Sequence, residues 1–237
     1  MHKTLGLPNP CDSGTVQALK EAAKRILSKP VRKKEPITPS DLRKMAKHLA
    51  DASLLDLRTL TVALLSYAGF LRFDEVSKIR SEFISFRPSY VKIFIDKSKS
   101  DQHKVGDYVV IAKTGSATCP VEALKKYLFK AKVGRKGYIF RGMQKVRNGH
   151  VLRRADKAVS YSSLRRDILG AVSRIGLEKS RFGLHSMRRG GATRAARNGV
   201  NDRLFKKHGR WRSERAKDGY AAETLRAMLS VSRNLGI

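Results

Sequence analysis

Apolar positions along this chain follow two spacings, and the switch between them divides it into elements. Val16, Leu19, Ala23 and Leu27 recur every three to four residues, which predicts an amphipathic helix over 14–28. Lys29-Pro30-Val31-Arg32-Lys33-Lys34-Glu35-Pro36 follows, a basic run between prolines that reads as an extended segment. Thr38-Pro39-Ser40-Asp41 has the form of a helix start. Thr38 can cap, Pro39 suits the first helical position, and Asp41 sits where an acid helps. Leu42, Met45 and Leu49 mark the buried face of that helix. Residues 53–68 are apolar on almost every side, through Leu54, Leu55, Leu57, Leu60, Val62, Leu64 and Leu65, so this helix is expected at the centre of the core.

The period then shortens to two. Val91, Ile93 and Ile95 alternate with Lys92 and Phe94, Tyr108–Ala112 is rich in strand formers, and Phe83–Phe86 reads as a third strand. A polar loop from Lys97 to Asp107 joins the last two strands in space. Helical spacing returns after Pro120, at Val121, Leu124 and Leu128, and again at Leu164, Ile168 and Val172. Leu184–Asn198 reads as a helix that Gly199 ends. Two short helices and an amphipathic C-terminal one, carrying Leu225, Met228 and Leu229, complete the pattern. The fold class expected is α+β, mainly α, with one small three-stranded antiparallel sheet. A lone helix cannot make a core, so 1–28 are expected to be the remnant of a preceding domain, 29–37 a basic linker, and 38–237 one domain with a C-terminal helix at 222–237.

Composition adds a partner. Apolar residues are 41% of 237, enough for a folded core. The 51 lysines and arginines against 20 acids give a net charge of +31, which repels itself in a compact chain unless a polyanion offsets it. Phosphate backbones fit, because neutralising them releases counterions. Charge alone does not separate DNA from RNA or anionic lipid. Cys11 and Cys119 form no CxxC and have no neighbouring His pair, so neither a disulfide framework nor a zinc module is read, which fits a reducing compartment. No apolar run reaches transmembrane length and no signal-like stretch follows Met1-His2-Lys3, so no membrane partner is expected.

His185-Ser186-Met187-Arg188 places an imidazole and a guanidinium three apart, on one side of a helix. Alone, that is an ordinary surface pair in so basic a chain. Gly209-Arg210-Trp211 and Tyr220 follow; singly, Trp211 would be a core anchor and Tyr220 a half-buried aromatic. In order, His185, Arg188, Trp211 and Tyr220, with nine positions from Trp to Tyr, resemble the box of the tyrosine recombinase (phage integrase) family. Upstream, Gly69-Phe70-Leu71-Arg72-Phe73-Asp74-Glu75 matches that family's Gly-x-x-Arg-x-x-Glu, although Arg72 and Glu75 alone would be an i,i+3 ion pair of small worth. Ser98-Lys99-Ser100 matches its hairpin lysine, with Lys97 and Lys104 as neighbours able to serve instead. The resemblance covers about 14–237. Lys97–Gln102 and Thr118-Cys119-Pro120-Val121 look most like recombinases of eukaryotic mobile elements.

The resemblance implies a site-specific DNA recombinase or integrase working through a 3′-phosphotyrosine, independent of ATP, metal or other cofactor. Arg72 and Arg188 would clamp the non-bridging oxygens. Tyr220 would be the nucleophile, His185 its base, Lys99 the acid for the leaving 5′-oxygen, and Trp211 a donor-only phosphate contact. Glu75 would orient Arg72 or His185. Residues 1–28 would then end a core-binding domain and 38–237 would be the catalytic domain. DNA-backbone contacts are expected from Arg32, Lys33, Lys34, Lys97, Arg189, Arg194, Arg210 and Arg212. The expected partners are double-stranded DNA and further copies of the chain, a dimer or tetramer built through the C-terminal helix. The expected location is intracellular with DNA: nuclear in a eukaryote, cytoplasmic or in the nucleoid in a prokaryote. Gly190-Gly191 inside a helix costs about 1 kcal/mol each relative to Ala, which a close approach by DNA or a neighbouring helix would explain. Three other readings stay open: a type IB topoisomerase, a catalytically silent DNA-binding protein, and a basic RNA-binding or ribosomal protein, a class that does not require the Arg72, Lys99, His185, Arg188, Tyr220 series.

Overall fold

The computed structural model describes residues 6–27, 33–51, 53–96, 106–147 and 149–211. The chain divides into two units, 1–33 and 34–237. In the first, α1 (Gly14–Leu27) follows a short turn of helix, and none of its residues is buried, as a helix without a core must be.

The second unit is built around α3 (Leu54–Ala68). Every residue from Leu57 to Ser66 is buried, and the helix packs against α2 (Pro39–Leu49), α5 (Pro120–Lys130), α6 (Tyr161–Arg174) and α7 (His185–Arg197). Local chemistry starts these helices where the sequence suggests. The Thr38 hydroxyl accepts the Asp41 N–H at 3.2 Å while Asp41 accepts the Thr38 N–H at 2.9 Å, a reciprocal cap for α2. The Ser53 hydroxyl caps α3, accepting the Asp56 N–H at 3.0 Å. The short α4 (Phe73–Ser77) leads into β1 (Ile84–Phe86), β2 (Tyr90–Ile95) and β3 (Asp107–Ala112), an antiparallel sheet in that order, with Ile84 opposite Ile93 and Ile93 opposite Val109. Val91, Ile93 and Ile95 with Val109 and Ile111 bury one face, so the period-two reading sets the register. The last described helix is α8 (Asp202–Gly209). Among the described residues no helix is long and apolar enough to cross a membrane.

Three features go beyond the sequence reading. A second hairpin, β4 (Met143–Val146) with β5 (Gly149–Leu152), lies where no strand was expected. Residues 34–37, expected to belong to a free linker, are tied into the second unit. Glu35 N–H donates to Arg181 O at 2.8 Å, Ile37 N–H donates to Ser186 O at 3.0 Å, Arg181 grips both Glu35 oxygens, and Ile37 joins the core. Finally, Arg58 sits wholly inside α3's packing, donating to Arg141 O and to Asp167, each at 2.6 Å. Burial lowers its pKa from the ordinary arginine value, with Asp167 opposing.

The two glycines of α7 have a structural cause. A Cβ on Gly190 would lie 2.1 Å from the Ile37 carbonyl oxygen, and one on Gly191 would lie 2.0 Å from that of Tyr67. The close approach is by the protein's own backbone, which seats α7 against the end of α3 and fixes where Arg188 can point.

Candidate active site

The site begins where α3 stops. Phe70 takes a left-handed backbone conformation (φ 48°), and the chain reverses so that Arg72 precedes α4. Glu75, one turn into α4, accepts the Arg72 backbone N–H on Oε2 at 2.7 Å and the Arg72 guanidinium on Oε1 at 3.0 Å. The i,i+3 pair read from the sequence is therefore real, but Glu75 is only 2% exposed, which makes it an interior anchor and no surface ion pair.

Arg188 comes to the same place from the first turn of α7. It is fully buried, donates to the Phe70 carbonyl and to Gly209 O (2.7 Å), and its Nη1 lies 3.6 Å from Glu75 Oε2. Its guanidinium also stands 4.8 Å from the centre of the Trp211 ring, a cation–π contact. Trp211 is held by stacking on Phe205 (4.9 Å, 27°) and by Phe70. Gly209 has no room for a side chain, since a Cβ there would fall 1.9 Å from the Trp211 ring.

A third guanidinium completes the cluster. Arg210 follows α8 in the left-handed conformation (φ 54°) and is 7% exposed. It donates to Glu75 Oε2 at 3.0 Å, to Phe70 O at 3.1 Å, to His208 O at 2.8 Å, and to Gly69 O. Arg210 was expected on the DNA backbone; its guanidinium points inward, because one carboxylate and three carbonyls there accept its protons. Burial pushes the Glu75 pKa up, yet Arg210, the Arg72 N–H and Arg188 outweigh it and hold the carboxyl below the usual range. His208, which the sequence reading passed over, packs edge-on to Phe70 and places Nε2 2.8 Å from Ala68 O; burial lowers its pKa.

Of the expected catalytic set, the structure gathers Arg72, Glu75, Arg188 and Trp211. His185 opens α7, is exposed, and lies one turn before Arg188 on the same side of the helix. Lys99 and Tyr220 lie outside the described residues, as do Arg32, Lys97, Arg212 and the segment 222–237. Lys33 and Arg194 are exposed. Lys34 is exposed and bonds Ser180 O, and half-buried Arg189 donates to Lys34 O at 3.3 Å. Among the described residues no group of three or more His, Cys, Asp or Glu is placed to hold a metal ion.

The sequence pattern that defines the phage integrase family matches residues 35–225. The chain belongs to the phage integrase family. An integrase/recombinase xerD homolog from Selenomonas ruminantium is 32% identical to this phage integrase family member over 216 residues, which cover 91% of this chain and 62% of that protein. Among solved structures, the Tn1549 transposon integrase with transposon right-end DNA superposes with a TM-score of 0.63 at 14% identity, over 97% of this chain and 72% of that one. The XerH site-specific recombinase in a post-cleavage complex with palindromic difH gives 0.62 at 14%, over 87% and 55%. The XerA recombinase gives 0.61 at 18%, over 100% and 71%. At these identities the structural likeness is one of fold. The chain spans about three fifths of the xerD homolog and just over half of XerH.

Proposed function

We propose that this chain is the DNA-cleaving part of a site-specific recombinase or integrase that breaks and rejoins double-stranded DNA through a 3′-phosphotyrosine. The observation that carries the proposal is the convergence of Arg72 and Arg188, distant in sequence, on the one buried carboxylate of Glu75. Two oriented guanidiniums suit the non-bridging oxygens of a phosphodiester, where negative charge concentrates in the transition state.

In this reading the Tyr220 phenolic oxygen bonds to phosphorus and the bond from phosphorus to the 5′-oxygen breaks. His185 takes the phenol's proton and Lys99 gives one to the departing 5′-oxygen. The phosphotyrosine conserves the bond energy for the reverse step. The Arg72 side chain is 16% exposed and open to a phosphate, whereas Arg188 is covered, so a DNA complex must shift the chain lying over Arg188. A homo-oligomer on DNA extends the reading. A groove of about 610 Å³ beside α7, α8 and β3 exposes Tyr108, Val110, Val200 and Leu204, each 45–53% accessible. The apolar spacing of Leu225, Met228 and Leu229 suits such a groove on a neighbouring copy. The place of action is wherever the DNA is, nucleus or nucleoid.

The test is a nicked suicide duplex that traps the covalent complex, with the modified residue mapped. Tyr220→Phe is expected to abolish the adduct and leave DNA affinity unchanged. Equal adduct with that variant refutes Tyr220 as nucleophile and turns attention to Tyr161, exposed at the start of α6. Exchange between two sites, against relaxation of a supercoiled plasmid alone, separates recombinase from topoisomerase. Deletion of 222–237, followed by size measurement on DNA, tests the oligomer.

A further inference from the structure

The three guanidiniums on Glu75 are not equivalent. Oε1 takes the Arg72 side chain. Oε2 takes the Arg72 backbone N–H and Arg210, and Arg188 pairs with the same oxygen at 3.6 Å, longer than a hydrogen bond, while donating to the Phe70 and Gly209 carbonyls. The remaining donors of Arg210 reach Gly69 O and Phe70 O, in the turn that aims Arg72, and His208 O, two residues back on its own strand of chain. One side chain therefore joins the Arg72 turn, the carboxylate that orients Arg72, and the backbone that runs on through Trp211 towards Tyr220. It does so from a left-handed backbone conformation, which a non-glycine residue keeps only when its surroundings impose it.

We propose that Arg210 is a positioning residue for DNA cleavage: by donating to Glu75 Oε2 and to the Gly69 and Phe70 carbonyls it fixes the carboxylate and the turn that aim Arg72, and it holds the Trp211 segment in register with them. This rests on the recombinase reading. If Arg210 is removed, Glu75 loses one of its three cations and the turn before Arg72 loses its tie to the Trp211 segment, so the guanidinium that would meet the phosphate is no longer held in place.

The experiment uses the full chain and two variants, Arg210→Gly, which suits the left-handed backbone, and Arg210→Lys, which keeps the charge and loses the fork. Single-turnover adduct formation on a saturating nicked duplex, DNA affinity, and thermal unfolding are measured separately. Arg210→Gly is expected to cleave about 100-fold or more slowly, the usual size for loss of one oriented donor set, with DNA affinity within about threefold. Arg210→Lys should fall between, and millimolar guanidinium should restore part of the Arg210→Gly rate. The pH profile gives a readout that a scaffold role does not move. The groups facing the Glu75 carboxyl are Arg72 from its own helix, Arg188 from α7 and Arg210 after α8. Loss of Arg210 raises the Glu75 pKa, so the acid limb of the rate should move to higher pH. Cleavage by a folded Arg210→Gly within threefold of the parent overturns the proposal. So does a slower rate with an unmoved acid limb and no guanidinium rescue. Should Arg210→Gly fail to fold, Arg210→Lys at the parent rate overturns it equally. Absence of adduct from the unmodified chain sinks the recombinase reading itself, and this inference with it.

Discussion

Glu75→Gln removes the single anion shared by three guanidiniums and changes little else in shape. Glu75 and Arg188 are essentially inaccessible and Arg210 is 7% exposed, so water cannot replace the lost partner. At an effective dielectric constant of about 20, one charge pair at about 4 Å is worth about 4 kcal/mol. Glutamine also sets an N–H₂ group against guanidinium donors that need an acceptor. Removing one member of a buried pair commonly costs about 3–5 kcal/mol, because the remaining charge stays buried without a counter-ion. That range is expected here. For a unit of this size it corresponds to a fall of about 6–20 °C in Tm, at about 2–4 °C per kcal/mol. Trp211, the only tryptophan, lies buried in the second unit and reports its unfolding alone in urea. The sign with pH follows from the lowered pKa of Glu75. A carboxyl depressed in the folded state stabilises fully above its unfolded value, near 4.3, and this contribution is lost as pH falls through the folded value. The gap between parent and variant should therefore be full at pH 7 and narrow below about pH 4. A variant within 1 kcal/mol of the parent at pH 7 (an order-of-magnitude margin), or a gap that does not narrow in acid, refutes the idea that Glu75 is held charged by its three partners.

Other perturbations test neighbouring parts of the argument. Gly191→Ala, usually stabilising by about 1 kcal/mol inside a helix, should here destabilise by about 1–3 kcal/mol or more, since its Cβ meets a backbone carbonyl; a variant as stable as the parent in urea denies that close approach. Asp167→Ala strips the counter-ion from buried Arg58 and should cost about 3–5 kcal/mol, whereas a loss below 1 kcal/mol in the same assay means that the Arg141 carbonyl alone suffices. Affinity for random duplex should fall about 10³-fold between 50 and 200 mM salt if six or more phosphates are neutralised. A flat salt titration contradicts the phosphate-backbone origin of binding.

Most of the architecture was legible because burial in this chain follows period. Val91, Ile93 and Ile95 face the core alternately as their spacing requires, and the all-round apolar stretch 53–68 is the central helix. The β4–β5 hairpin escaped because its strands bury little: Gln144, Lys145 and Val146 are exposed, so no apolar alternation marks them. Residues 34–37 looked like linker from their prolines and lysines, whereas the partners that fix them, Arg181 and Ser186, are far along the chain. The need for Gly190 and Gly191 was likewise set by remote backbone. In the site, local spacing found Arg72 with Glu75 and His185 with Arg188. It could not show that Arg72 and Arg188 share one carboxylate, nor that Arg210 turns inward, because those facts depend on how α4, α7 and the end of α8 meet.

The inward turn of Arg210 bears on how the proposed centre would hold its guanidiniums ready for a phosphate. Two guanidiniums side by side repel each other, and a buried carboxylate is the natural way to hold them together. That same carboxylate would also neutralise them, and a salt-bridged pair offers a phosphate little. Three cations on one anion resolve the conflict: the cluster keeps a formal surplus of two positive charges while every guanidinium touches an acceptor or an aromatic face. Arg72 and Arg210 hydrogen-bond Glu75 directly, and Arg188 pairs with it at the longer distance of 3.6 Å while donating to the Phe70 and Gly209 carbonyls. Under the proposed function, a phosphate arriving beside Arg72 would meet a pre-oriented field, with no reorganisation needed from the carboxylate beneath it.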